Sequence, residues 1–64
     1  MIIKLKNAVK EFEGKAFLLN SDIIVSVYEA KDSDGKPGTF VYGSNDKTWQ
    51  VQETVEQIYK KLSA

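Results

Sequence analysis

The chain has 64 residues, 42% hydrophobic and 28% charged, the balance of one small folded domain over residues 1–64 with no length for separate catalytic and regulatory modules. Nine lysines balance nine carboxylates, and Cys, His and Arg are absent, which excludes disulfides, thiolate or imidazole metal sites, Cys nucleophiles and histidine triads. Zero net charge without Arg also disfavours strong charge-driven nucleic-acid binding, leaving room only for a local basic patch multiplied around an oligomer.

Ile2 to Lys6 alternates apolar with basic residues, placing Ile3 and Leu5 on one side and Lys4 and Lys6 on the other, as a half-buried strand requires. This apolar run is short and broken by charge, so it reads as neither a signal peptide nor a membrane span, and a cytoplasmic setting is expected. Asn7 to Gly14 fits a helical turn ended by Gly14 about as well as a continued strand, and is read as an irregular connection. Ala16 to Asn20 and Asp22 to Ala30 are β-rich and flank the polar triplet Asn20-Ser21-Asp22, which together read as a hairpin. In the second of these strands Ile23, Val25 and Val27 share one face and Ile24, Ser26 and Tyr28 the other, the pattern of a central strand covered on both sides.

Lys31 to Gly38 contains Asp34-Gly35 and Pro37-Gly38 and reads as a turn-rich loop. Thr39 to Gly43 and Lys47 to Gln52 form a second hairpin around Gly43-Ser44-Asn45-Asp46, with Trp49 as a core anchor. From 53 to 62 the period changes: Val55, Ile58, Tyr59 and Leu62 recur at i, i+3, i+4 and i+7, one side of a helix. Thr54 and Gln57 have the spacing of a capping box, while Glu53, Glu56, Lys60 and Lys61 match the helix dipole. Five short strands and a closing helix predict a mainly β fold: a small, five-stranded antiparallel barrel of Sm-like or SH3-like type with a C-terminal α-helix. So short a chain without covalent staples is expected to gain stability by pairing an edge strand with further copies of itself.

Candidate chemistry is sparse. Asp32-Ser33-Asp34-Gly35 is reminiscent of a calcium loop, but Ala30 and Val41 would fall where the full motif needs acidic oxygens, so a solvated turn is expected. Glu11 and Glu13 lack an accompanying nucleophile, and Ser21, Ser26 and Ser44 lack a base, so no enzyme activity and no cofactor are expected. Among the aromatic residues, Phe17, Trp49 and Tyr59 are assigned inward; Phe40 and Tyr42 face the same way as each other beside Ser44, Asn45 and Lys47. They are the best candidates for stacking on bases, with core or interface packing as the alternative. Lys4, Lys6, Lys60 and Lys61 make either a basic strip or a plain solvated face.

Gly14 to Val27, Thr39-Phe40-Val41-Tyr42-Gly43 and Thr48 to Glu56 together resemble two groups of short proteins. One comprises small proteins of phage and marine metagenomic origin, in which Thr-Trp-x-Val-x-Glu-Ser/Thr leads into a closing helix. That resemblance implies an Sm-like barrel assembled into a ring, a pentamer or hexamer, in the host cytoplasm. It also implies RNA or single-stranded DNA contacts at the pore-facing loops, here Asn20, Asp22, Ser44, Asn45 and Lys47, to which the residue reading adds Tyr42. The other is the flagellar FlbD/SwrD type, which shares Gly-Lys-x-Phe-x-Leu-Asn-x-Asp-x-Ile and implies an adaptor-like accessory factor. The additional Ala8 to Glu13 segment and the long Lys31 to Gly38 loop fit the phage-type group better; the Arg-Gly element of Sm proteins is missing, and the helix lies at the opposite end of the chain.

Overall fold

The computed structural model describes residues 1–63. Their order is β1 (Ile2–Lys6), β2 (Ala16–Asn20), β3 (Ile24–Lys31), β4 (Pro37–Gly43), β5 (Thr48–Val51) and α1 (Val55–Leu62), with 3-10 turns at Lys10–Phe12 and Ser21–Ile23. The strands form two antiparallel sheets, β1-β2 and β3-β4-β5. Alternation in β1 is as expected, with Ile3 and Leu5 buried and Lys4 and Lys6 exposed. The irregular connection after β1 is a closed loop: Asn7 N–H donates to Lys15 O and Gly14 N–H to Asn7 O, both at 2.9 Å, with Gly14 at φ 79°.

The first expected hairpin does not form. β2 pairs with β1, Ile3 opposite Leu19 and Leu5 opposite Phe17, whereas β3 pairs with β4. The cause lies in the triplet between them. Asn20 accepts from Asp22 N–H at 3.0 Å and Ser21 N–H donates to Met1 O at 2.8 Å, so the chain winds through one 3-10 turn and is redirected into the other sheet instead of reversing. Nor is β3 central: the middle of its sheet is β4, whose Thr39, Val41 and Gly43 are buried. A register shift between Ile24 and Ser26 bulges Val25 out of the ladder, leaving it 61% exposed and breaking the expected Ile23, Val25, Val27 face.

The turn-rich loop is also shorter than its composition indicates, because β3 runs to Lys31 and β4 starts at Pro37, the two residues opposite each other. Pro37 is tolerated as the first residue of its strand. The helix begins at Val55, not 53, with Thr54 as its N-cap; Thr54 Oγ1 accepts from Gln57 N–H at 3.1 Å and Gln57 Oε1 from Thr54 N–H at 2.9 Å, the expected capping box.

Ile3, Leu5, Leu19, Val41, Val51 and Ile58 make the core, with Phe17, Ile23, Ile24, Val27, Trp49 and Leu62 packed around it. Trp49 is a half-buried anchor stacked near Phe17 (centroids 6.4 Å apart). Tyr59, expected inside, is 63% exposed: the short helix turns Ile58 fully inward and needs only Val55 and Leu62 beside it. A seam joins the sheets, since Asn7 bridges Val51, Ala8 N–H donates to Gln50 O at 3.0 Å and Gln52 N–H to Lys6 O at 2.9 Å. The Glu53 carboxylate closes the seam by accepting Lys6 N–H at 3.0 and 3.1 Å. The sheets do not close into a barrel; the strand path runs β2-β1-β5-β4-β3 and leaves β2 and β3 outermost.

Candidate nucleic-acid interface

The six candidate residues lie at the end of β2 (Asn20), on the β2–β3 connection (Asp22), on β4 (Tyr42) and on the β4–β5 connection (Ser44, Asn45 and Lys47). Ser44 N–H donates to Ile23 O at 2.7 Å, so the two connections, separate in sequence, form one end of the molecule. The β4–β5 turn is tightly specified. Gly43 N–H donates to Lys47 O at 2.9 Å, Asp46 N–H to Gly43 O at 3.0 Å, and Asp46 adopts φ 63°. A Cβ on Gly43 would lie 2.8 Å from Asn45 Oδ1 and 2.9 Å from the Trp49 ring, which is why a strand residue of the inner face is glycine.

Several of the six candidates are engaged in shaping this end. Asn20 Oδ1 caps Asp22 N–H, and Asn45 Oδ1 accepts from Lys47 N–H at 3.2 Å. The Tyr42 hydroxyl donates to Asp46 Oδ1 at 2.7 Å, and this bond, by stabilising the protonated phenol, raises its pKa above the usual 10.0. Tyr42 is half-buried, while Asn20, Asp22, Ser44, Asn45 and Lys47 are exposed. What the end can present to a nucleic acid is therefore one ammonium, the Ser44 hydroxyl, the amide N–H groups of Asn20 and Asn45 and the edge of Tyr42, beside the carboxylates of Asp22 and Asp46. That set allows weak, salt-sensitive phosphate contact.

Phe40 and Tyr42 share a side of β4 opposite the buried Thr39 and Val41, as the alternation implies, and both are half-buried. The register places Tyr28 opposite Phe40 and Ser26 opposite Tyr42 on β3, and Thr48 opposite Tyr42 and Gln50 opposite Phe40 on β5. Tyr28 and Phe40 lie with ring centroids 5.8 Å apart and planes 18° from parallel. Tyr28 belongs to this outer face and was not singled out from the sequence. The signal was available in the shared parity of Ser26, Tyr28 and Ala30 with Gly38, Phe40 and Tyr42, once β3 is paired with β4.

Away from this end, Glu29, Thr39, Gln50, Gln52 and Thr54 line an open groove of about 400 Å³ at the sheet margin. Among the described residues no group of three or more acidic side chains is placed to hold a metal ion, and no helix is long and apolar enough to cross a membrane.

These features define a small, mainly β domain of two antiparallel sheets joined by a seam and closed by a capped helix. The chain matches no protein-family model, no curated protein and no solved structure.

Proposed function

We propose that this chain is a non-enzymatic, Sm-like open barrel of phage type that joins copies of itself edge to edge into a ring of five or six. The ring contacts RNA or single-stranded DNA weakly through Asn20, Asp22, Tyr42, Ser44, Asn45 and Lys47. The observation that carries the reading is the strand path, whose two outer strands, β2 and β3, are different segments of the chain. A contact between unlike edges is head-to-tail, and a head-to-tail contact with a suitable rotation closes into a ring. Apolar side chains stand beside both edges: Leu18 on β2 is 69% exposed, and Val25 sits at the bulge of β3.

Size-exclusion chromatography of the wild type, Leu18→Lys and Val25→Lys tests the assembly. Both substitutions are on exposed positions, so the fold is kept while a charge is placed at the edge, and both variants are expected to elute later than the wild type. Unchanged elution of both contradicts edge pairing. Fluorescence anisotropy with single-stranded RNA and DNA tests the contact, which is expected at low salt and lost in the Lys47→Ala, Tyr42→Ala double variant.

The same exposed apolar residues support a second reading, an FlbD/SwrD-like adaptor whose edge or helix docks on a larger protein assembly. Tyr59 on the solvent side of α1 is the observation that favours it. A specific protein recovered with the wild type but lost with Tyr59→Ala supports that reading, and retention of the same protein by the variant counts against it.

A further inference from the structure

The outer face of β3-β4-β5 differs from that of β1-β2 in gathering three aromatic rings and no charged side chain. The outward positions of β1-β2 are Ile2, Lys4, Lys6, Ala16, Leu18 and Asn20, two lysines and no aromatic ring, whereas here they are Ser26, Tyr28 and Ala30, Gly38, Phe40 and Tyr42, and Thr48 and Gln50. None of the latter carries a charge at neutral pH. Solvent-facing strand positions normally hold the charged residues, so an uncharged face with three aromatic rings is built for contact.

Size and charge narrow the occupant. With strands about 4.8 Å apart and about 3.4 Å per residue, the face has a flat footprint on the order of 200 Å², small beside a stable protein interface, which buries roughly 800 Å² of accessible surface per partner. A second copy is too large a demand on it. A polyanion is disfavoured by charge, since nucleic-acid affinity rests on cations that neutralise phosphates. The lysines at the rim, Lys36 and Lys47, are each next to or near carboxylates, Asp34 and Asp32 at one end and Asp46 at the other. Asp32, anionic at neutral pH as any ordinary carboxylate is, has its pKa held lower still by hydrogen bonds, the largest from Lys36 N–H and a smaller one from the Gln50 amide.

We propose that this face binds a short stretch of neutral oligosaccharide. The C–H surfaces of pyranose rings pack on Tyr28 and Phe40, while their hydroxyls exchange hydrogen bonds with Ser26, Thr48 and the Gln50 amide. Gly38 is part of the design: a Cβ there would lie 2.8 Å from Gln50 Nε2, so only glycine lets the amide cross the strand at this position. The inference does not rest on the turn-end nucleic-acid contact, to which Tyr28, Phe40 and Gln50 do not belong, nor on ring formation, since Tyr28 lies on the face of β3 and not on its hydrogen-bonding rim, and Phe40 and Gln50 lie on β4 and β5.

Backbone amide shifts of the full chain, recorded during titration with cellohexaose, maltohexaose, chitohexaose and a hexamer of deoxythymidine, test it. The expected result is a saturable shift at Ser26, Tyr28, Phe40 and Gln50 with at least one of the sugars, unchanged by salt. Tyr28→Ala should weaken that binding roughly tenfold. Gly38→Ala, whose only close neighbour is the end of a flexible side chain, should fold and also weaken it by displacing the amide. The proposal is overturned if no sugar shifts these residues, if both variants bind as the wild type does, or if only the thymidine hexamer shifts them in a salt-dependent way.

Discussion

Asp32 shows how one carboxylate organises a turn in so small a protein. Its Oδ1 accepts from Asp34 N–H and Lys36 N–H, both at 2.9 Å, while its own N–H donates to Lys36 O at 2.8 Å. Its pKa lies below the usual 3.8, chiefly through the Lys36 N–H. A depressed pKa contributes stability that is complete above the unfolded value and is lost as pH falls below it through the folded one. Thermal melts taken from pH 5 downward should therefore show an acid limb that is shallower in Asp32→Ala than in the wild type, and an equal limb in both would contradict the role. Tyr42 has the opposite sign. Its raised pKa means that the Asp46 bond stabilises the fold below pH 10.0 and is lost as pH rises above that through the folded value. Tyr42→Phe should flatten the alkaline limb of the same melts. The sequence marked Asp32 to Gly35 as a turn from composition, but which carboxylate caps it depends on the strands reaching Lys31 and Pro37, a matter of pairing that composition does not encode.

Among the elements, α1 was the most legible because its signals are local. Thr54, Gln57 and the spacing of Val55, Ile58 and Leu62 all act within about two helical turns, and each has the expected role. Removing the cap with Thr54→Ala should lower stability by about 0.5–2 kcal/mol in urea denaturation. Ile58→Ala should cost about 2–5 kcal/mol, comparable with the whole stability of a domain this short, so that its circular dichroism at room temperature becomes that of a largely unfolded chain. A well-folded Ile58→Ala protein would show that the core extends beyond this contact. Tyr59 was misplaced because periodicity gives the side of a helix but not the width of the stripe that the sheet below can cover. All five strands lie where the alternation places them to within one or two residues at each end, but the pairing of the second with the third does not occur. The alternation of Ile23, Val25 and Val27 suits a regular strand, and nothing local announces the bulge that turns Val25 outward.

At the scale of the whole molecule, the arrangement rests on contacts far apart in sequence. The seam from Lys6, Asn7 and Ala8 to Gln50, Val51 and Gln52 ties the first strand to the last, and the Ser44 to Ile23 bond gathers two connections at one end. From the sequence the turn-end residues could be named but not their state, because the capping of Asn20 and Asn45 and the Tyr42 to Asp46 bond become apparent only once the turns are built. The aromatic face escaped for the same reason: Tyr28 joins Phe40 only through the β3–β4 register. Few of the described residues are fully buried and two outer strands are left at the ends of the path, and these are the features on which the proposed edge-to-edge assembly rests. Multi-angle light scattering of the wild-type chain at micromolar concentration tests this most directly. A single species of five or six chains is expected, and a monodisperse single chain would rule out edge-to-edge assembly.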